Sequence, residues 1–305
     1  MEGSEGGTSA LCQGRNGIER MDTMLTGPLE PGQWVLCFLG AVREVIDAER
    51  AAQVEDALVA LESILHGNGS NEALIQAGFA DLRAINGGMI GACCTYAQVA
   101  AAGGLPAALT EAASHVGDPA VRARGTIGGG VAHADPASDL PTVLLALNAK
   151  FHISKGRTAR VVPAIKFFTG LYETALKEGE LLVGIEVDAE ARGTGSAYAK
   201  LENPASRYAM VGAAASVTIA NGVCTAASVA VGGLTTHAWR SKRVASALLE
   251  TALDAESISK AAKRIVRELP DDLLGDIHAS VEYRRAMSQV FVERAVMAAA
   301  ARAKK

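Results

Sequence analysis

Residues 122–141 read RARGTIGGGVAHADPASDLP, and this stretch decides how the fold of the chain is interpreted. Three consecutive glycines follow Thr126 and Ile127, and two acidic residues come shortly afterwards. Consecutive glycines allow neighbouring backbone N–H groups to point into one concavity, which binds phosphate oxygens without a charged side chain. The spacing is neither GxGxxG nor GxxxxGKS/T, so it does not predict a Rossmann or P-loop site. Taken alone, the stretch leaves two alternatives open: a phosphate-binding loop, or a plain turn between two elements.

The composition is typical of a globular protein that does not bind polyanions. The chain has 305 residues, enough for two domains, with 49% hydrophobic and 20% charged residues and a formal net charge of −4. The sequence has no dense basic patch, which argues against nucleic acid or an anionic membrane as a partner. The N-terminus lacks a signal-peptide pattern, and the longest apolar run, 208–220, is too short to span a bilayer. The sequence therefore predicts a cytoplasmic protein without a membrane span.

The cysteines and histidines predict neither a metal site nor a catalytic residue. The five cysteines form no CxxC pair, whereas an iron–sulfur cluster or a structural zinc ion needs four ligands at suitable spacing. The six histidines are scattered, without an HExxH motif or a Ser-His-Asp arrangement. Any redox chemistry of this chain would therefore have to come from an added organic cofactor.

The order of the patterns predicts an α+β protein in three parts, 1–82, 83–175 and 176–305. The first part combines β-forming residues after a Pro-Gly turn with a helix whose apolar stripe runs from Ala51 to Leu65. The second mixes short strands with small helices around the glycine stretch. The third opens with a hairpin at Asn221-Gly222, the preferred pair for a type I′ turn, and continues with helices at 241–253, 258–269 and from 280 onward.

Several further motifs carry a resemblance that covers residues 83–305. They are IGACCTYAQVAA, GTIGGGVAHADPASDLPTVLLALNA, GELLVGIEV, GSAYAKLENPASRYAMVGAAASVTI and the terminal VEYRRAMSQVFVERAV. In this order and spacing they resemble the FAD-binding medium subunit of the molybdenum hydroxylases, of the aerobic carbon monoxide dehydrogenase flavoprotein type. The resemblance implies an FAD-binding lobe over 83–175, missing its first sub-lobe, and a C-terminal lobe over 176–305 with an antiparallel sheet and helices.

The resemblance also implies a set of FAD-contacting residues. The TIGG loop would hold the diphosphate, the acidic pair would accept hydrogen bonds from ribityl or ribose hydroxyls, with Asp139 preferred over Asp135, and a lysine and a tyrosine would approach the flavin ring. The residues are Thr126, Ile127, Gly128, Gly129, Asp135, Asp139, Lys200 and Tyr208. Structural alternatives stay open for three of them. Asp139 would instead cap a helix begun by Pro141, Lys200 would be an exposed lysine ending a strand, and Tyr208 would be a half-buried core residue.

The chain departs from the family pattern around the diphosphate. The family has Asn after TIGG, where this chain has Gly130, and it has a second double-glycine loop of the AGGxS kind in its first sub-lobe. The only candidate for that second loop is HGNGS at 66–70. Each charge-assisted hydrogen bond to a diphosphate contributes about 1.5–3 kcal/mol, so losing two or three donors predicts weakened FAD binding.

The N-terminal part, 10–82, resembles a different family. CQGRNGIERMDTMLTGPLEPGQWVLCFLGAVREVIDAERAAQVEDALVALESILHGNG, followed by FADL, is similar to the small chaperone of nickel–iron hydrogenase maturation. In that family a cysteine directly after the initiator Met handles the iron ligand, whereas this chain begins Met1-Glu2-Gly3. Cys12 is not its equivalent. The two resemblances imply a fusion of a truncated chaperone head with a shortened flavoprotein.

Together these features predict an FAD-binding electron-transfer subunit of a molybdenum hydroxylase complex. Its partners would be a large subunit with the molybdenum cofactor and a small subunit with iron–sulfur clusters. Electrons would pass from those clusters through FAD to an external acceptor. The alternatives are a non-catalytic assembly or scaffold protein related to hydrogenase maturation, or a fusion with impaired FAD binding.

Overall fold

A computed structural model describes residues 9–14, 17–38, 41–49, 51, 80–155 and 158–304. The chain divides into two compact units, Met1–Gln76 and Ala77–Lys305. The predicted helix beyond residue 51 and the HGNGS segment at 66–70 lie outside the described residues. Within the parts of the chain that are described, no helix is both long and apolar enough to cross a membrane.

The first unit is built on a four-stranded sheet. Its strands are β1 (Ser9–Gly14), β2 (Gly17–Asp22), β3 (Trp34–Phe38) and β4 (Ala41–Ile46), in the order β1-β2-β4-β3. The predicted β-structure after the Pro-Gly turn corresponds to the antiparallel pair β3 and β4. The β1–β2 hairpin was not predicted, because almost every residue of β2 is exposed and its sequence lacks an apolar–polar alternation.

The second unit begins with a lobe in which small helices pack on a five-stranded sheet in the order β5-β6-β11-β7-β8. A 3₁₀ turn, Ala80–Arg83, precedes it, and another, Ala164–Lys166, follows β8. Its helices are α1 (Tyr96–Ala101), α2 (Ala107–His115), α3 (Pro119–Arg124), α4 (Ile127–His133) and α5 (Asp139–Ala146). Its strands are β5 (Ile85–Asn86), β6 (Met89–Gly91), β7 (Lys150–Lys155), β8 (Thr158–Pro163), β9 (Phe168–Gly170), β10 (Glu173–Thr174) and β11 (Leu181–Glu186). Strands β9 and β10 form a separate two-stranded sheet, and the other five form the main one.

The border between the lobes lies later in the chain than residues 175 and 176. Strand β11 forms antiparallel ladders with both β6 and β7, so it completes the sheet of the first lobe. The predicted C-terminal part included this strand. A strand's partners are set by the sheet edge that is left open, and that edge is not visible in the sequence of the strand itself.

The C-terminal lobe is an antiparallel sheet covered by helices. The strands are β12 (Thr194–Glu202), β13 (Ala209–Ala220), β14 (Val223–Gly232) and β15 (Trp239–Arg240), followed by α6 (Lys242–Leu248), α7 (Ala255–Ala262), the 3₁₀ turn Ile265–Arg267 and α8 (Val281–Ala303). The predicted hairpin is confirmed, since Asn221 and Gly222 join β13 to β14 with φ values of 52° and 80°. The α+β class is confirmed as well.

Helix α5 is the element on which the two lobes meet. Every residue from Asp139 to Ala146 is buried. Its apolar side chains share one core with Ala214 of β13 and Ala230 of β14. Because this packing buries the whole helix, it also buries the acidic residue at its start.

Candidate functional site

The glycine stretch forms the start of helix α4. Thr126 is the N-cap, and its hydroxyl accepts a hydrogen bond from the Gly129 amide at 3.2 Å. The amides of Ile127 and Gly128 donate to carbonyls of the segment before α1, each at 2.9 Å. The first three amides of the helix, which usually lack partners, are thus bonded within the protein. The stretch is neither a loop of free amides nor a plain turn.

Two of the three glycines are required by packing, and one is open. A Cβ at Gly128 would overlap Ala92 and lie 2.6 Å from its carbonyl oxygen. A Cβ at Gly130 would collide with the hydroxyl of Tyr96. Gly129 is exposed, and a Cβ there would meet only the hydroxyl of the helix cap, at 2.9 Å. Gly129 therefore offers the one face of this run on which a ligand can approach the backbone closely.

The contact with Tyr96 explains the departure at Gly130 and gives a first prediction. Gly130→Asn restores the residue of the family motif, and we expect it to lower the free energy of unfolding by about 1–3 kcal/mol, because its Cβ overpacks against the Tyr96 hydroxyl. In a Tyr96→Phe background the nearest ring atom would be at 3.3 Å, and the loss should become much smaller. Urea denaturation measures both. Equal losses in the two backgrounds would show that Tyr96 does not select this glycine.

A buried ion pair joins helix α5 to strand β12. The Asp139 carboxylate accepts hydrogen bonds from the Tyr198 hydroxyl at 2.6 Å and from the Lys200 ammonium at 3.0 Å. Lys200 also donates to the carbonyls of His115 at 2.8 Å and Arg207 at 2.7 Å. The side chains of Lys200 and Asp139 are only 3% and 5% exposed. All three ammonium donors of Lys200 therefore have acceptors inside the protein.

The environment of this pair sets its protonation. Burial raises the pKa of Asp139, and the charge of Lys200 and the hydrogen bonds from Tyr198 and Lys200 oppose that shift. Burial and the neighbouring carboxylate raise the pKa of Tyr198 well above its usual value, so the phenol stays a donor. Asp139, Tyr198 and Lys200 form one polar connection between the lobes, and this connection depends on all three side chains.

This geometry corrects two structural alternatives. Asp139 does not cap a helix begun by Pro141, since α5 begins at Asp139 itself and its N-cap is Ser138. Lys200 is not an exposed lysine at a strand end, because it lies within β12 and is buried against α5. The assignment of Asp139 and Lys200 to the cofactor stays a prediction.

Exposed aromatic side chains gather around Asp135. One oxygen of Asp135 accepts from a backbone amide two residues further on, and the other lies 3.4 Å from the Tyr172 hydroxyl. The Tyr172 ring packs on His133 with centroids 5.1 Å apart. Tyr208 is half-exposed, and burial followed by the charges of Asp135 and Asp139 raises its pKa. These contacts place Tyr208 near both acidic residues.

Tyr96 is buried, but it lies close enough to Tyr208 and Asp139 to interact with them electrostatically. Burial, with smaller effects from Tyr208 and Asp139, raises the pKa of Tyr96 to about 12. Its hydroxyl therefore stays protonated at neutral pH. We call Tyr96, Tyr172 and Tyr208 the tyrosine cluster. Within this cluster Tyr96 is buried, whereas the exposed rings of Tyr172 and Tyr208, with Asp135 and the open face of Gly129, offer aromatic faces for a planar ring and acceptors for hydroxyl groups.

Sequence reasoning missed Tyr96, Tyr172 and His133. Tyr172 adopts a left-handed backbone conformation with φ 57°, which is uncommon for a bulky residue and has no sequence signature. Tyr96 stands directly after the Thr95 N-cap of α1 and looked like an ordinary first-turn residue. Only the contact of Tyr96 with Gly130 marks it as part of the site, and this contact is not visible in the sequence. Among the described residues, no group of three or more His, Cys, Asp or Glu side chains is arranged to hold a metal ion.

Two known protein families match the second unit, one for each of its lobes. Residues 78–188 match the family described as the FAD binding domain in molybdopterin dehydrogenase, and residues 196–299 match the carbon monoxide dehydrogenase flavoprotein C-terminal domain. The two domains, in this order, define the class: the flavoprotein chains of molybdopterin dehydrogenases.

Comparison with individual proteins shows to which family within this class the chain belongs. The carbon monoxide dehydrogenase medium chain of Hydrogenophaga pseudoflava is 38% identical over 196 residues, which cover 64% of this chain and 67% of the relative. The 6-hydroxypseudooxynicotine dehydrogenase complex subunit alpha of Paenarthrobacter nicotinovorans is 34% identical over 64% of this chain and 66% of its own length. The chain belongs to the family of carbon monoxide dehydrogenase medium chains.

Solved structures show the same architecture. Carbon monoxide dehydrogenase from Hydrogenophaga pseudoflava, lacking the Mo-pyranopterin moiety of its cofactor, superimposes with a TM-score of 0.69 at 34% identity. That match covers 73% of this chain and 79% of the other. Quinoline 2-oxidoreductase from Pseudomonas putida 86 superimposes with a TM-score of 0.66 at 28% identity, over 74% of this chain and 80% of the other.

The N-terminal unit matches a second, unrelated family. Residues 2–58 match the HupF/HypC family. The hydrogenase expression/formation protein HoxL of Azotobacter vinelandii is 45% identical over 73 residues, covering 24% of this chain and 66% of HoxL. Both resemblances read from the sequence are thus confirmed.

Proposed function

We propose that this chain is the FAD-binding electron-transfer subunit of a cytoplasmic molybdenum hydroxylase complex. Its partners would be a large subunit with the molybdenum cofactor and a small subunit with iron–sulfur clusters, and the electrons would leave to an external acceptor. The observation that carries the proposal is the succession of the two flavoprotein domains over 78–188 and 196–299. FAD would supply the electron-transfer chemistry, and the protein would bind and orient it.

The tyrosine cluster and the start of α4 are the residues that would hold FAD. We assign the approach of the diphosphate to the segment Thr126, Ile127, Gly128 and Gly129, with the open face of Gly129 as the point of closest contact. Asp135 is the better placed of the two acidic residues for ribityl or ribose hydroxyls, because it is partly exposed, whereas the Asp139 side chain is only 5% exposed and both of its oxygens accept hydrogen bonds from side chains. Tyr208 would cover a face of the flavin ring. Lys200 would act through Asp139.

The bonded amides of α4 bear on affinity. The N–H groups of Ile127, Gly128 and Gly129 already have acceptors in the protein. A diphosphate would therefore share these donors with the protein instead of being their only acceptor. The family's second double-glycine loop was not found in the sequence either. Because each charge-assisted hydrogen bond contributes about 1.5–3 kcal/mol, we expect the isolated chain to bind FAD weakly, with a Kd of about 1 μM or higher.

Reconstitution with FAD tests the proposal. We expect the purified chain, titrated with FAD, to bind one flavin per chain and to show quenched flavin fluorescence and a perturbed visible spectrum. Riboflavin, which lacks the diphosphate and the adenosine, serves as the matched ligand control and should bind more weakly. A chain that stays colourless after gel filtration from excess FAD, and gives no saturable quenching, would refute FAD binding.

The assembly role is a second candidate, because residues 2–58 match the HupF/HypC family and lie within a compact unit of their own. Co-purification from a host that makes both kinds of partner separates the two. Molybdenum-containing and iron–sulfur chains retained on the tagged protein support the hydroxylase proposal. Retention of a hydrogenase large subunit without those chains supports the assembly role.

A further inference from the structure

A second cavity lies between the two lobes of the Ala77–Lys305 unit, away from the tyrosine cluster. Its volume is about 360 Å³, within the usual range of small-molecule pockets. The first lobe lines it with residues that include Leu145, near the end of α5, and Phe168. It therefore lies at the opposite end of α5 from Asp139, about 10 Å along the helix at 1.5 Å per residue. None of the residues assigned to FAD lines it.

The cavity holds a cation whose charge is not balanced. Arg240 of β15 lines the cavity, and one of its guanidinium nitrogens donates to the Leu145 carbonyl. Its Nε atom is buried and has no hydrogen-bond partner among the described residues. Burial also lowers the pKa of Arg240. Arg240 is partly buried, and a partly buried guanidinium that contacts one carbonyl and, among the described residues, no carboxylate favours the approach of an anion.

The acidic residue nearest in the cavity wall does not supply that anion. Glu268 accepts hydrogen bonds from the hydroxyl of Ser241 and from the backbone amides of Lys242 and Arg243, at the start of α6. Its carboxylate is therefore committed to the helix. The Lys242 ammonium, also in the wall, is exposed and pairs with no described carboxylate. Burial lowers the pKa of His237, which adds no charge at neutral pH.

The remaining wall is mostly apolar, apart from Trp239, whose buried indole Nε1 has no hydrogen-bond partner among the described residues. Phe168 is buried, Ile165 is about half exposed at the rim, and Ala164 and Ala238 complete this side. The cavity wall thus combines two cationic residues, Arg240 and Lys242, with an apolar surface, and its one described carboxylate, Glu268, is hydrogen-bonded to the start of α6. That combination selects a ligand with one negative charge and a compact apolar body over a small hydrophilic anion.

We propose that this cavity binds an organic monocarboxylate, with the carboxylate on Arg240 and Lys242 and the apolar body against Ile165 and Phe168. The contacts would complete the hydrogen bonding of the Arg240 Nε. The site is independent of the proposed flavin function, since it shares no residue with it.

Isothermal titration calorimetry of the full chain with benzoate tests this site. We expect saturable binding with a Kd of about 1 mM or tighter. Benzamide, which has nearly the same shape and no charge, should bind at least 10-fold more weakly. Inorganic phosphate at the same concentration should not compete. Absence of benzoate binding would overturn the proposal, and so would equal binding of benzamide or displacement by phosphate.

Variants locate the binding. Arg240→Gln removes the guanidinium charge together with the Nη donor to the Leu145 carbonyl, and it should weaken benzoate binding at least 10-fold. Ile165→Asp adds a negative charge at the exposed rim and should weaken binding several-fold without a folding penalty. Lys166→Gln removes an exposed cation beside the cavity that does not line it, and it should leave the Kd unchanged. Unchanged affinity in both Arg240→Gln and Ile165→Asp would refute the site even if benzoate binds elsewhere.

Discussion

Lys200→Met is expected to lower the free energy of unfolding by about 3–5 kcal/mol, because it leaves the buried carboxylate of Asp139 without its cation. The substitution removes three hydrogen bonds at once, to Asp139 and to the carbonyls of His115 and Arg207. Tyr198 remains as a donor but carries no charge. Equilibrium denaturation in urea, followed by near-ultraviolet circular dichroism, measures the loss.

Two matched variants show whether the loss comes from the unpaired charge. Asp139→Asn combined with Lys200→Met leaves neither charge buried and should recover part of the stability lost in the single variant. Lys150→Met breaks the pair with Glu186, whose side chains are 48% and 32% exposed, and should change stability far less. Similar losses for Lys200→Met and Lys150→Met would contradict the role given to the buried pair.

The stability loss caused by Lys200→Met should depend on pH in a defined direction. Burial already raises the pKa of Asp139, and removing Lys200 takes away the main opposing influence. The pKa of an Asp carboxyl in the unfolded chain is about 3.9. When its pKa in the folded state is higher, the unfolded chain ionises first as the pH rises, so the folded protein loses stability above about pH 3.9. The deficit of Lys200→Met relative to the wild type should therefore grow from pH 4 towards neutrality. A constant deficit over this range would indicate lost packing instead.

The second large effect concerns FAD binding and rests on the proposed function. Gly129→Val should weaken FAD binding by about 10–100-fold, which corresponds to about 1.4–2.8 kcal/mol, because the side chain stands on the only open face of the glycine run. Its stability should fall by about 1 kcal/mol, since the new Cβ would stand 2.9 Å from the Thr126 hydroxyl and displace this N-cap, without meeting any other side chain. Fluorescence titration with FAD and urea denaturation measure the two quantities.

Gly128→Ala is the matched control, because we expect its main effect on stability and not on FAD affinity. Its Cβ would overlap Ala92 beneath the helix, so we expect a stability loss of about 1–3 kcal/mol. Any change in FAD affinity should follow the distortion of α4. If FAD binds to the wild type and Gly129→Val leaves its affinity unchanged, the diphosphate does not pass over Gly129, although FAD binding itself would stand.

Local patterns in the sequence were enough for much of the architecture. The Asn221-Gly222 pair predicts its hairpin because both turn residues require positive φ, a property of single residues. The order of motifs over 83–305 was sufficient to recognise both flavoprotein domains, and the N-terminal likeness was sufficient for the HupF/HypC match. The glycine run itself was ambiguous. In the sequence, Gly128 is a predicted ligand contact and Gly130 a departure from the family motif, whereas in the structure Ala92 and Tyr96 require both glycines for packing.

The sequence by itself determined the fold class, the turn chemistry and the family, because each follows from local backbone preferences or from the order of motifs. Only the tertiary structure decided which polar groups are free to bind a ligand. Asp139 and Lys200 are 61 positions apart and Arg240 and Leu145 are 95 apart, so their contacts depend on how α5 packs between the lobes. That packing holds Asp139 and Lys200 in a buried pair and leaves the Arg240 Nε without a partner among the described residues. Burial and long-range contact, rather than residue type, set the cost of an unpaired charge.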